Sequence, residues 1–254
     1  KGKTFYNDGE KFIGNYKEGE PHGKGTYYYT DGTKQEGVFH YDEDWGSLYC
    51  LYDFSYIKLS GDYENGFGKM VDNRDSVIYK GYFKDFQKDS IGTEIGEYQG
   101  KKGFYKGSYK KGWATGFGVY EFNDGDRIEA SWEKGDCVNG TIYYDNGDLY
   151  TGDLYLSNPD KKGVMVYSNG DKYDGEWDYV DGFVSGKITY NNGDIFEGSF
   201  DDDYGVINKG SYFYSNGDKF TGYFDENGFK KRGIYIFKSG IKFDGIFKND
   251  SINR

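Results

Sequence analysis

Apolar and polar positions alternate along almost the whole chain, and the alternation is punctuated by glycine. In Phe12-Ile13-Gly14-Asn15-Tyr16, Tyr173-Asp174-Gly175-Glu176-Trp177, Phe196-Glu197-Gly198-Ser199-Phe200, Phe220-Thr221-Gly222-Tyr223-Phe224 and Phe243-Asp244-Gly245-Ile246-Phe247, two rings flank a glycine at a distance of two. Residues i and i+2 share one face of a strand, so rings and glycine lie on one face and mostly polar or acidic residues on the other. A second set, Gly25, Gly118, Gly140, Gly163, Gly186, Gly210 and Gly233, opens further alternating runs such as Gly140-Thr141-Ile142-Tyr143-Tyr144. Between the two runs stand Asp8-Gly9, Asp31-Gly32, Asp124-Gly125, Asn146-Gly147, Asn169-Gly170, Asn192-Gly193 and Asn216-Gly217. Asn-Gly and Asp-Gly between alternating segments predict hairpins with type I′ turns, which need positive φ at both central residues. Each period therefore reads as two antiparallel strands, with no helix inside it. The missing Cβ of each glycine leaves room for a neighbouring ring.

The centre of the motif falls at Gly14, Gly37, Gly61, Gly81, Gly107, Ala130, Gly152, Gly175, Gly198, Gly222 and Gly245. The expected fold is all-β: an elongated single-layer β-hairpin solenoid of about eleven repeats of ~23 residues, in which stability accumulates between neighbours. One continuous array is expected, with N-terminal repeats over 1–39, irregular repeats over 40–102 and regular repeats over 103–254. In the irregular stretch Gln35 and Leu59 replace rings, no Asn-Gly turn separates Tyr52 from Ile57, and Gly61 to Gly68 is a short connector. Trp45, Tyr49, Tyr52, Phe54 and Tyr56 crowd there and form a candidate second patch, set against simple repeat decay. Gly2, Tyr6 and Gly9 repeat the phase of Gly25, Tyr29 and Gly32, so the chain is expected to be a segment of a longer protein, starting on a second strand.

Composition narrows the class. Phe, Trp and Tyr make up 21% of the residues, which disfavours disorder, and Gly without a three-residue period and with only 2 Pro disfavours collagen. No apolar run reaches ~18 residues, and Lys1-Gly2-Lys3-Thr4 has no apolar stretch after it, so a signal peptide is not expected in this segment. The net charge of −11 opposes nucleic acid and anionic lipid alike. The short basic runs, Lys101-Lys102, Lys110-Lys111, Lys161-Lys162 and Lys230-Lys231-Arg232, read as solvated turns. Cys50 and Cys137 read as free thiols of a reducing compartment, and two histidines, His22 and His40, do not build a metal site. No nucleophile elbow or phosphate loop is present, and Asp201-Asp202-Asp203 reads as a solvated connector, so neither catalysis nor a cofactor is expected.

Ring-x-Gly-x-ring, a Gly about eleven residues on, then Asn/Asp-Gly, at a period near 23, resembles the MORN (membrane occupation and recognition nexus) repeat over essentially the whole chain, most closely from Gly107 to Phe247. The resemblance implies an intracellular, non-catalytic interaction module, cytoskeletal or membrane-associated. The expected function is a protein-binding scaffold whose aromatic groove, lined by Tyr150, Tyr173, Trp177, Phe196, Phe200, Phe220 and Phe224, receives a partner helix or extended peptide. Self-association is a further partner class. A phospholipid-binding module is the alternative, disfavoured by charge. An extracellular carbohydrate- or choline-binding array is weaker still, because such sites favour Trp and only 4 are present.

Overall fold

The computed structural model describes residues 1–42, 47–74, 76–201, 206–248 and 250–252. Among them there is no helix, and every strand pair runs antiparallel. Two compact units divide the chain, Lys1–Gly118 and Val119–Arg254.

The first unit begins with a five-stranded sheet in chain order: β1 (Gly2–Phe5), β2 (Lys11–Lys17), β3 (Glu20–Tyr28), β4 (Lys34–Asp42) and β5 (Ser47–Asp53). A new ladder then starts with β6 (Ile57–Gly61), β7 (Phe67–Asp72), β8 (Val77–Lys84), β9 (Gln87–Tyr98) and β10 (Lys101–Lys110). β11 (Trp113–Phe122) carries the chain from the first unit into the second. The second unit continues through β12 (Arg127–Glu133), β13 (Asp136–Tyr143), β14 (Leu149–Tyr155), β15 (Asn158–Val166), β16 (Lys172–Asp178) and β17 (Gly182–Thr189). It ends with β18 (Ile195–Phe200), β19 (Ile207–Phe213), β20 (Lys219–Phe224), β21 (Lys230–Ile236), β22 (Lys242–Lys248) and β23 (Ser251–Ile252). The sheets are open, each a succession of hairpins.

Glycine sets the register. Gly2 pairs with Gly14, Gly14 with Gly25, and Gly25 with Gly37. In the second ladder Gly61, Gly68, Gly81, Gly92 and Gly107 stand opposite one another in turn. Ala130, Gly140, Gly152, Gly163, Gly175, Gly186, Gly198, Gly210, Gly222, Gly233 and Gly245 do the same in the second unit. Facing glycines within a hairpin leave a shallow slot, and in most hairpins the ring two residues before the first glycine lies across it. A Cβ at Gly163 would collide with the Tyr150 ring, and one at Gly233 would strike Phe220. Where Ala130 replaces the glycine, the slot is partly filled by its methyl group, and the smaller Ile128 stands where the ring would be.

The turns differ from the expectation. At Gly147 the φ is 89°, but Asn146 before it does not enter the left-handed region. The amide of Gly147 donates to Tyr144 O, and that of Tyr144 to Asp148 O. The same pattern recurs at Gly170, Gly193 and Gly217. The loop is therefore a type I turn closed by a left-handed glycine, the three-residue hairpin, and not type I′. The Asp that follows stabilises the array. Asp148 Oδ1 accepts the amide of Ser168 at 2.8 Å, Asp194 Oδ1 that of Ser215 at 2.7 Å, and Asp218 Oδ1 that of Lys238 at 2.8 Å, so each turn is tied to the next repeat. Type I′ turns do occur at the opposite ends of the hairpins, with positive φ at both Glu18 and Gly19, Lys111 and Gly112, and Lys134 and Gly135.

Candidate interaction surfaces

The seven rings expected to line a groove are all buried. Their i+4 spacing and the glycine slots explain why. In the second unit Tyr150, Trp177, Tyr173, Phe200, Phe196, Phe224, Phe220, Phe247 and Phe243 form an unbroken succession of edge-to-face contacts with centroids 4.9–5.7 Å apart. The first ring of each motif lies in its slot, and the second bridges to the first ring of its own and the preceding repeat. Polar ends are satisfied inside the array: Tyr150 Oη donates to Asp153 O at 2.7 Å, Tyr173 Oη to Glu176 O at 2.7 Å, and Trp177 Nε1 to Gly163 O at 3.1 Å. Burial pushes the Tyr150 and Tyr173 hydroxyls well above the usual phenol range. The expectation that part of this ring surface stays open is therefore corrected. A single layer can bury its aromatic face because the rings cover one another.

Four of the five residues of the second patch lie among the described residues. Tyr49, Phe54 and Tyr56 are exposed, Tyr52 is partly buried with its hydroxyl pushed upward chiefly by burial, and Trp45 lies outside the described residues. Phe54 and Tyr56 flank the break between the β1–β5 sheet and the ladder that starts at β6. Asp202 and Asp203 also lie outside the described residues. Cys50 and Cys137 are free, and burial raises the Cys50 thiol to about 11, so it stays protonated near neutrality.

Inside the first unit the β8–β9 turn meets β2 and β3. Phe86, at the turn with φ 65°, inserts its ring against His22 (5.5 Å) and the backbone at Gly23, and Lys17 Nζ bonds Asp85 at 2.6 Å. Beside this junction a cleft of about 440 Å³ is lined by Lys17, His22, His40, Lys84, Lys110 and Lys111, together with Glu18, Glu20, Asp85 and Asp89. His40 Nδ1 is buried there without a hydrogen-bond partner. Burial, then His40, depresses the His22 imidazole below its usual range. Four lysines against four carboxylates leave the cleft with no strong charge preference, and no group of three or more metal-ligating side chains exists among the described residues.

The surface that sequence reading missed is the outward face of β7–β11, opposite the rings. Phe67 pairs with Tyr82, Tyr82 pairs with Asp89 across a bulge that carries Ile91, Ile91 pairs with Ser108, and Phe117 adjoins Gly118, which faces Gly107. Phe67, Tyr82, Ile91 and Phe117 are 50, 49, 64 and 63% exposed, so this row is open to solvent. The next row along the strands is Lys69, Lys80, Thr93 and Lys106, each directly opposite the next. Beyond it Ile95 pairs with Phe104, both exposed. In the second unit the row equivalent to Phe67–Phe117 reads Ser131, Asn139, Asp153, then Lys162, Glu176, Ser185, Ser199 and Lys209, and closes with Tyr223, Arg232 and Ile246. The alternation of strand positions marked these residues as outward-facing, and their apolar character on that side was the available signal.

The family model of the MORN repeat matches residues 12–34 and 105–127, so the chain carries MORN repeats at those two places. No curated protein matches the chain. Among solved structures, a point mutant of the TCP10 domain of Danio rerio CPAP aligns at 10% identity over 96% of this chain and 98% of that one, with a TM-score of 0.26.

Proposed function

We propose that the chain is a non-catalytic protein-binding scaffold that docks a partner helix or extended segment on the outward face of β7–β11. The observation that carries this reading is the contrast between equivalent rows. From Ser131 to Lys209 the same strand position is filled by Ser, Asn, Asp, Lys and Glu, with Tyr223 and Ile246 as isolated apolar exceptions further on, so the fold does not need apolar side chains there. In the first unit it presents Phe67, Tyr82, Ile91 and Phe117 to solvent, and exposed apolar rows of this kind are where interaction anchors concentrate. The buried rings on the opposite face supply rigidity, which keeps the docking surface preorganised. MORN repeats are in general protein- or membrane-interaction modules, and a cytoskeletal or membrane-associated setting inside the cell is the proposed context.

The test pairs two double variants, Tyr82→Ser with Ile91→Ser, and Ser185→Ala with Ser199→Ala as the control row. Both are expected to keep the wild-type melting temperature within a few degrees, since the changed side chains lie outside the ring core. Quantitative capture from a lysate of the source cells is expected to lose a defined set of proteins with the first variant and none with the control. Equal capture by all three proteins would remove the docking reading.

A further inference from the structure

We infer that the occupant of this face is an acidic, amphipathic protein segment lying across the strands, its apolar side chains on the Phe67–Tyr82–Ile91–Phe117 row and its carboxylates on Lys69, Lys80 and Lys106. The inference rests on the docking reading above and names the chemistry of the partner. Three observations lead to it.

The first is charge. The chain as a whole carries −11, yet residues 57–118 hold 11 Lys and Arg against 8 Asp and Glu. The cationic excess is concentrated on the face in question. Lys69 and Lys80 are direct cross-strand partners, Lys80 faces Thr93, and Thr93 faces Lys106. Like charges directly opposite one another destabilise a sheet. Within the ladder, this arrangement is uncompensated: none of the three lysines forms an ion pair among the described residues, and Lys80 Nζ instead rests 5.9 Å from the Phe67 ring. Where charges stand side by side in the corresponding row of the second unit they alternate, Asp174, Lys187 and Glu197, with Lys187 Nζ 3.6 Å from Glu197. A carboxylate-bearing partner relieves the repulsion that the isolated chain carries.

The second is dimension. Four strand steps from β7 to β11 span about 19 Å at ~4.8 Å per step. A helix of about 13 residues covers that length, and its pitch of ~5.4 Å brings one turn over roughly each strand. Apolar side chains at i, i+4 and i+7 then meet Phe67, Tyr82 and Ile91, the following turn lies over Ser108 on β10, and a side chain near the end of the helix meets Phe117. The lysine row is two residues further along each strand, about 7 Å to one side, where the flank of a helix of ~10 Å diameter rests.

The third separates a narrow segment from a bilayer. Polybasic attraction to a membrane needs clusters of about four to eight cations, and the row supplies three, set within a chain of net charge −11. A single segment needs only the two rows, and these supply its apolar anchors and its three cations.

The test uses the whole chain and three probes by fluorescence anisotropy at about 50 and 300 mM salt: a synthetic 18-residue amphipathic helix with Leu anchors and Glu flanks, the same peptide with Lys flanks, and vesicles of one part phosphatidylserine to four parts phosphatidylcholine. The acidic peptide is expected to bind at least tenfold tighter than the basic one and to weaken several-fold at the higher salt. Lys80→Glu with Lys106→Glu and, separately, Ile91→Ser with Phe117→Ser are each expected to lower its affinity at least tenfold while the melting temperature holds. Equal binding of the two peptides, no binding of either, or vesicle binding that is lost with the same lysines would overturn the inference. Lysate capture that depends on Tyr82 and Ile91 but is unchanged by Lys80→Gln with Lys106→Gln would leave the docking reading in place and remove only the acidic partner.

Discussion

At the scale of single residues, the glycine slots and the rings that fill them carry most of the packing. Trp177 touches Tyr150 and Tyr173 and donates to Gly163 O, so Trp177→Ala leaves a cavity between two repeats and an unpaired carbonyl. Such truncations cost about 3–5 kcal/mol. A urea titration of Trp177→Ala is expected to show a loss of that size, and a change under ~1 kcal/mol would mean that the ring is not part of the core. Gly163→Ala acts from the other side of the same contact. Its methyl group would collide with the Tyr150 ring, and overpacking of this kind costs about 1–3 kcal/mol. The pair Gly163→Ala with Tyr150→Leu is expected to recover part of that loss, as Ala130 with Ile128 does naturally. The turn aspartates give the chain its acid sensitivity. The Ser168 amide holds the Asp148 carboxyl below the usual range, and the Lys238 amide, then Tyr235 Oη, does the same for Asp218. A carboxyl whose folded value is depressed stabilises the fold above its unfolded value near 3.9 and loses that contribution as pH falls through the folded value. The melting temperature is expected to decline below about pH 4, and Asp148→Asn with Asp218→Asn to lower it at neutral pH while flattening the acid decline.

At the scale of the element, two kinds of turn alternate. Gly147 closes a type I turn at φ 89°, and an L side chain is strained there. The β14–β15 turn is different: Leu156 and Ser157 both sit at positive φ, 47° and 62°, without a glycine. Ser157→Gly removes that strain and is expected to raise stability by about 1 kcal/mol, whereas Gly147→Ala is expected to lower it by a similar amount. Opposite signs in one thermal-melt series check the assignment; the same sign for both would refute it.

At the scale of the whole molecule, strand pairing joins chain neighbours, and in Lys1–Gly118 the β8–β9 turn adds a contact of long sequence separation through Phe86 and the Lys17–Asp85 pair. Neighbour-only pairing makes stability nearly additive, so unfolding is expected to depart from a single two-state step. Phe86→Ala is expected to expose the amides of β2 and β3 to hydrogen exchange before those of β16–β20, which share none of its contacts. Uniform acceleration across the chain would show instead that the molecule unfolds as one unit.

The repeat of ~23 residues, the antiparallel pairing and the outward-inward alternation were determined by the sequence alone, because a period of two and the placement of glycine are local properties of strands. The register of Gly175 against Gly163 and Gly186 follows from the same spacing. Three matters needed the tertiary structure. The turn type was decided by where the hydrogen bonds close, at Tyr144 and Asp148, and not by the Asn-Gly dipeptide. The fate of Trp177 and Phe200 was decided by rings more than twenty residues away, which cover surface that a lone hairpin leaves open. The docking row was legible only in part. Phe67, Tyr82 and Ile91 stand in strands interrupted by a bulge beside Gly81, where Ser90 and Ile91 have no partner on β8 and nothing in the sequence period marks it, so their alignment depends on the paired backbone itself.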